Sequence, residues 1–126
     1  MVNRTIMIVE DDEDLHMLYS LYLQGADYKV LQAYNGKQAF ELLDQEMPEL
    51  IILDMIMPVM DGEEFFTKLR TERKITDIPV IIASVNDKIP PQLLALGNVY
   101  SVLKKPFTIE TLLEQIQGAL SQKSSK

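Results

Sequence analysis

The chain has 126 residues, 47% apolar and 25% charged, with no cysteine and a formal net charge of −7. That length suits one domain with a substantial core, and the missing cysteines exclude disulfides, thiolate chemistry and cysteine-ligated zinc. The acidic balance argues against direct nucleic-acid binding, because phosphate contacts need clustered Lys and Arg, and Lys104-Lys105 is too small a cluster to make a binding face.

No apolar run approaches the length of a membrane span, and the N-terminus lacks the regions of a signal peptide. A cytoplasmic protein is expected. The first predicted strand, residues 5–9, ends at Glu10 and Asp11. Asp12 is a candidate N-cap for the helix that follows, and Glu13 and Asp14 suit the positive end of its dipole. Leu15, Leu18, Tyr19 and Tyr22 read as its apolar face, with His16 outside the core or at its margin.

A second strand is predicted over 28–32, then a helix with Ala39, Phe40 and Leu43 on one face. The third strand, 50–54, is the apolar run Leu50-Ile51-Ile52-Leu53 and ends on Asp54. Asp61 with Glu64 makes a variant capping box before a helix that buries Phe65, Phe66 and Leu69. The fourth strand, 79–84, ends on Ser84. The segment from Asn86 to Pro91 is poor helix material, because each proline removes a donor and the first restrains its predecessor. A fifth strand, 99–103, precedes Lys105. Thr108 reads as the N-cap of a last helix with Ile109, Leu112, Leu113, Ile116 and Leu120 in its stripe. Residues 1–120 form the predicted domain and 121–126 a polar tail.

Strands apolar at every position are the mark of a parallel sheet covered on both faces. Five βα units therefore predict a doubly wound α/β domain with a five-stranded parallel sheet and a short or irregular fourth helix. Ligand sites in such sheets lie beyond the carboxyl ends of the strands. Glu10, Asp11, Asp54 and Ser84 all fall there, and Lys105 lies just past the fifth strand. A carboxylate at the tip of a buried strand is costly unless a negative charge is needed there. Converging carboxylates imply a divalent cation, and hard oxygen ligands favour Mg²⁺. A cation, a carboxylate nucleophile, the Ser84 hydroxyl and the Lys105 ammonium are together the parts for phosphoryl transfer onto Asp54.

Val9-Glu10-Asp11-Asp12, Leu53-Asp54-Met55-Ile56-Met57-Pro58, Asp61-Gly62, Ser84 and Lys105-Pro106-Phe107 occur in this order at strand ends. In this the chain resembles the response-regulator receiver domains of two-component signalling, over roughly residues 4–120, which implies the flavodoxin-like (βα)5 fold. The resemblance implies that Asp54 is the phosphoacceptor, charged by a histidine kinase or phosphotransfer protein. It implies that Glu10, Asp11, Asp54 and the Ile56 backbone carbonyl hold Mg²⁺. Ser84 and Lys105 would bind the phosphoryl group, Met57 would shield the site, and Pro106 is a cis-proline candidate. The product is a switch in a phosphorelay that acts through a downstream protein partner or an excised output domain, not a turnover enzyme.

Departures from that pattern concern the step after phosphorylation. Val102 stands where receivers usually carry a switch aromatic, and Tyr100, taken to share its strand face, is the candidate substitute. Val85 replaces a usually small residue after Ser84 and is expected to narrow access to the phosphoryl group. The diproline weakens the fourth helix, which often carries the output surface, so a face near the first helix is the expected alternative. These departures support a second reading, a receiver-like interaction module that works without phosphorylation. Haloacid-dehalogenase-type phosphatases also use a strand-end aspartate and Mg²⁺, but carry an acid where this chain has Ile56. A serine hydrolase lacks its nucleophile-elbow motif here.

Overall fold

The computed structural model describes residues 4–55, 60–85 and 89–124. Strands and helices alternate: β1 (Thr5–Val9), α1 (Glu13–Gly25), β2 (Lys29–Ala33), α2 (Gly36–Leu43), β3 (Leu50–Asp54), α3 (Gly62–Thr71), β4 (Val80–Ser84), α4 (Pro91–Leu94), β5 (Val99–Lys104) and α5 (Ile109–Ser124). The strands form one parallel sheet in the order β2-β1-β3-β4-β5. The order reverses at β1, so β1 and β3 lie side by side and their carboxyl ends open into one crevice.

Alternate side chains of each strand feed two cores. Met7, Val9, Ile51, Leu53, Val80 and Ile82 pack under α2, α3 and α4, against Phe40, Phe65, Phe66 and Leu93. Ile6, Ile8, Ile52, Ile81 and Leu103 pack under α1 and α5, against Tyr19, Leu23, Leu112 and Ile116. Asp12, Asn35 and Asp61 cap α1, α2 and α3 through their side-chain oxygens, and Thr111 N donates to Thr108 Oγ1 at the start of α5. α4 is a single turn with Pro91 at its start. α5 continues through Ser124, into the stretch read as a tail from the sequence.

Two sequence expectations need correction. The buried stripe of α1 is His16, Tyr19, Ser20 and Leu23, whereas Leu18 and Tyr22 are 41% and 51% exposed. Nearly every residue from Leu15 to Leu23 is apolar or aromatic, so helical period alone left the choice of face open; packing on β1 and α5 decided it. His16 is thereby wholly buried, not marginal. Second, Val80 pairs with Val99 but Ile81 pairs with Ser101, so β5 carries an extra residue at Tyr100. The bulge turns Tyr100 to the α1/α5 core and leaves Val102 with the opposite one. They do not share a face, and Tyr100 packs its hydroxyl where a Cβ on Gly118 of α5 would stand.

Arg70, near the end of α3, is buried with its guanidinium over the Phe66 ring, 4.8 Å from the centroid. It donates to the carbonyls of Ile75 at 2.8 Å, Ile78 at 3.0 Å, Gly97 at 3.2 Å and Asn98 at 3.2 Å. One side chain thus ties α3 to the start of β4 and to the turn before β5. That turn holds Gly97 and Asn98 at φ of 94° and 60°, a conformation that glycine and asparagine tolerate best.

Candidate functional site

Each proposed metal- or phosphoryl-binding side chain within the described range sits at or just past a strand's carboxyl end. Glu10 and Asp11 follow β1, Asp54 and Ser84 are the last residues of β3 and β4, and Lys105 follows β5. Ile56 and Met57, proposed as a carbonyl ligand and a shield, lie outside the described residues, as do Asn86, Asp87 and Lys88. The Lys105–Pro106 peptide is cis.

The β1–β3 pairing brings the three acids together: one carboxylate oxygen each from Glu10, Asp11 and Asp54 lies within 4.8 Å of the others. Glu10 and Asp54 are buried and Asp11 is exposed. The Lys105 ammonium crosses from the far side of the sheet, donating to Glu10 Oε1 at 3.0 Å and lying 3.4 Å from Asp54 Oδ1. The loops that carry these groups are tied by their backbones. Glu10 N–H donates to Ala33 O at 3.1 Å, and Lys105 N–H to Ser84 O at 2.7 Å. Asp12 N–H donates to Glu10 Oε2 at 3.2 Å. At the start of α3, Gly62 N–H donates to Met55 O at 3.0 Å, holding that helix end against the end of β3.

The electrostatics show surplus negative charge. Partial burial, then the hydrogen bond and charge of Asp54, push the Asp11 carboxyl above its usual range, with Lys105 opposing. Burial alone would lower the Lys105 ammonium, but its hydrogen bond to Glu10 and the charges of Asp54 and Glu10 outweigh that and raise it. Three carboxylates against one ammonium leave two negative charges, which a divalent cation cancels. The donors are hard oxygens, the set that Mg²⁺ takes, and few enough to leave room for water and phosphate oxygens.

Ser84 is buried at the same edge, and Val85, next to it, is 61% exposed at the rim. Tyr100 and Val102 lie within β5, away from that edge and on opposite faces. Sequence reasoning missed three contributors: Gly62, whose lack of a side chain admits β3; Tyr34; and His16, stacked on Tyr34 with ring centroids 4.1 Å apart. The Asp61-Gly62 pair was a visible signal for the first. Nothing in the sequence marked the other two.

The family model described as response regulator receiver domain matches residues 6–117. The response regulator GtcR of Aneurinibacillus migulanus is 32% identical over 120 residues, which cover 94% of this chain and 48% of the relative. Histidine kinase P4 of Formosa agariphila is 33% identical over 120 residues, 94% of this chain and 9% of the kinase. The chain thus spans less than half the length of either relative. Among solved structures, the chemotaxis protein CheY4 of Vibrio cholerae superposes with a TM-score of 0.83 at 30% identity, covering 94% of this chain and 99% of that one.

Proposed function

This chain belongs to the response regulator receiver domain family, and on that premise we propose that Asp54 takes up a phosphoryl group from the phosphohistidine of a histidine kinase or phosphotransfer protein. Receiver domains of this kind are signalling modules of two-component systems, working with histidine kinases and output domains. The observation that carries the proposal is the convergence on Asp54 of Glu10, Asp11 and the Lys105 ammonium at one strand edge.

In the reaction an Asp54 oxygen bonds to phosphorus as the bond from phosphorus to the donor imidazole nitrogen breaks. The imidazole leaves with that electron pair. Glu10, Asp11 and Asp54, with the Ile56 carbonyl as a further candidate, would hold Mg²⁺. When bound, the cation offsets charge on the transferring group. Lys105 keeps its hydrogen bond to Glu10, so its ammonium stays beside the acceptor. The Ser84 hydroxyl, at the end of the neighbouring strand, is the donor for a phosphoryl oxygen. Val85 at the rim limits approach by water and small donors. Bond exchange on Asp54 makes this chain a substrate that assists its own modification, not an enzyme that turns over small molecules. The exposed apolar residues Met17, Leu18, Leu21 and Tyr22 of α1 are the surface we assign to the protein that delivers or reads the phosphoryl group. The reading implies a cytoplasmic location, where ATP charges the donor kinases.

The test compares wild type with Asp54→Asn in beryllofluoride or phosphodonor labelling with and without Mg²⁺. Labelling of wild type alone, and only with Mg²⁺, is expected. Equal labelling of the variant would remove Asp54 from the role. No labelling by any donor, a cognate kinase included, together with unchanged partner binding by Asp54→Asn, would favour the phosphorylation-independent module.

A further inference from the structure

We propose that His16 is a positioning residue for the cation site, holding the Glu10–Asp11 peptide so that the Asp11 carboxylate faces Asp54. The proposal rests on the reading of Glu10, Asp11 and Asp54 as ligands of Mg²⁺.

His16 closes the first turn of α1, its backbone N–H donating to Asp12 O at 2.8 Å, with 0% of its surface exposed. Its Nδ1 is 2.9 Å from the Glu10 carbonyl oxygen. A carbonyl only accepts, so that nitrogen carries the proton and Nε2 carries the lone pair. Nε2 is buried and has no hydrogen-bond partner among the described residues. An apolar ring at this place would bury nothing unsatisfied. The imidazole therefore spends its whole polar function on the Glu10 carbonyl. Tyr34, stacked at 4.1 Å and 18°, fixes the plane of the ring.

The carbonyl of Glu10 and the amide of Asp11 belong to one rigid plane, so orienting the first fixes the second and the Asp11 Cα. On the other side of Glu10, its N–H is tied to Ala33 O. Both peptide groups around Glu10 are thus held from outside the loop. Asp11 needs this most, because it is the exposed member of the three acids, and its direction depends on the backbone that carries it. Groups that orient metal ligands in this way typically account for about tenfold to a hundredfold in metal affinity.

The experiment is a Mg²⁺ titration of the full chain followed by amide NMR shifts, with melting curves on the same samples. His16→Phe keeps a stacked ring and loses the donor. His16→Asn loses the ring and keeps an N–H donor near the Nδ1 position. His16→Phe should weaken Mg²⁺ binding by about tenfold, and His16→Asn should recover most of that loss. A folded His16→Phe with wild-type affinity overturns the proposal, and so does a His16→Asn as weak as His16→Phe. Should His16→Phe not fold, the wild-type imidazole nitrogen shifts decide. The Nδ1–H tautomer, with a proton that exchanges more slowly once Mg²⁺ binds, supports the role by reciprocity of coupling. The Nε2–H tautomer, or exchange indifferent to Mg²⁺, overturns it. A wild type that binds no Mg²⁺ overturns the cation site and this proposal together, whereas a binding wild type with an unaffected His16→Phe overturns the role of His16 alone.

Discussion

Gly62→Ala should separate a steric requirement of the site from general helix stability. A Cβ built on Gly62 meets the Asp54 carbonyl oxygen and stands 2.6 Å from Met55 Cα. Both obstacles are backbone at the end of β3, so no rotamer change relieves them. Either α3 moves away from the strand or the strand end moves with Asp54. Overpacking a rigid site costs about 1–3 kcal/mol, and a backbone clash belongs at the upper end of that range. Alanine regains less than about 1 kcal/mol of helix propensity. A net loss of about 2–3 kcal/mol corresponds to roughly 10 °C in melting temperature for a domain of this size. Gly25→Ala is the control, because nothing lies within 4 Å of its Cβ and its φ is ordinary. It should be neutral or stabilising by up to about 1 kcal/mol. Thermal melts of both variants, with Mg²⁺ and beryllofluoride binding measured on the folded fraction, test the reasoning. A Gly62→Ala melting within about 2 °C of wild type, or a Gly25→Ala that falls equally, would refute it.

Asp11 sets a pH dependence. Its carboxyl is raised in the folded, metal-free chain, so the folded state binds the proton more tightly than the unfolded one. The stability this group contributes is fully present below the unfolded value and is lost as pH rises through the folded one. Metal-free wild type should gain melting temperature, relative to Asp11→Asn, as pH falls from neutral towards the ordinary carboxyl value, while Mg²⁺ affinity falls over the same range; a constant difference between the two proteins would exclude the raised Asp11. Val85→Ala should speed both small-donor labelling and loss of the phosphoryl group severalfold, measured by phosphate release. Unchanged rates would show that the exposed valine does not gate the site. Arg70→Met should cost on the order of 3–5 kcal/mol in denaturant titration, since it strands four carbonyls of the fold. Arg70→Lys should recover only part of that, because one ammonium lacks the planar fork.

Local pattern and chemistry are what the sequence by itself determined. Strands apolar at every position required a parallel sheet covered on both faces, and that requirement alone placed Glu10, Asp54 and Ser84 at one edge. The caps at Asp12, Asp61 and Thr108 were legible because capping acts within a few residues along the chain. Pro90-Pro91 likewise foretold a short or irregular fourth helix, which the structure shows as one turn. Tertiary structure alone decided whatever depends on a partner distant in sequence. α1 is apolar nearly all round, so only the sheet and α5 could select His16 over Leu18 for the core. The bulge at Tyr100 arises from how β5 pairs with β4, and a one-residue slip reverses every side chain beyond it; that is why Tyr100 and Val102 part company. Arg70 looks ordinary in sequence, and the Asp61-Gly62 pair marks a helix start without saying what Gly62 meets, because what both residues touch is backbone, which carries no side-chain signature. The acids of the site were readable; the groups that hold them in place were not, because their meaning lies in the peptide atoms they meet.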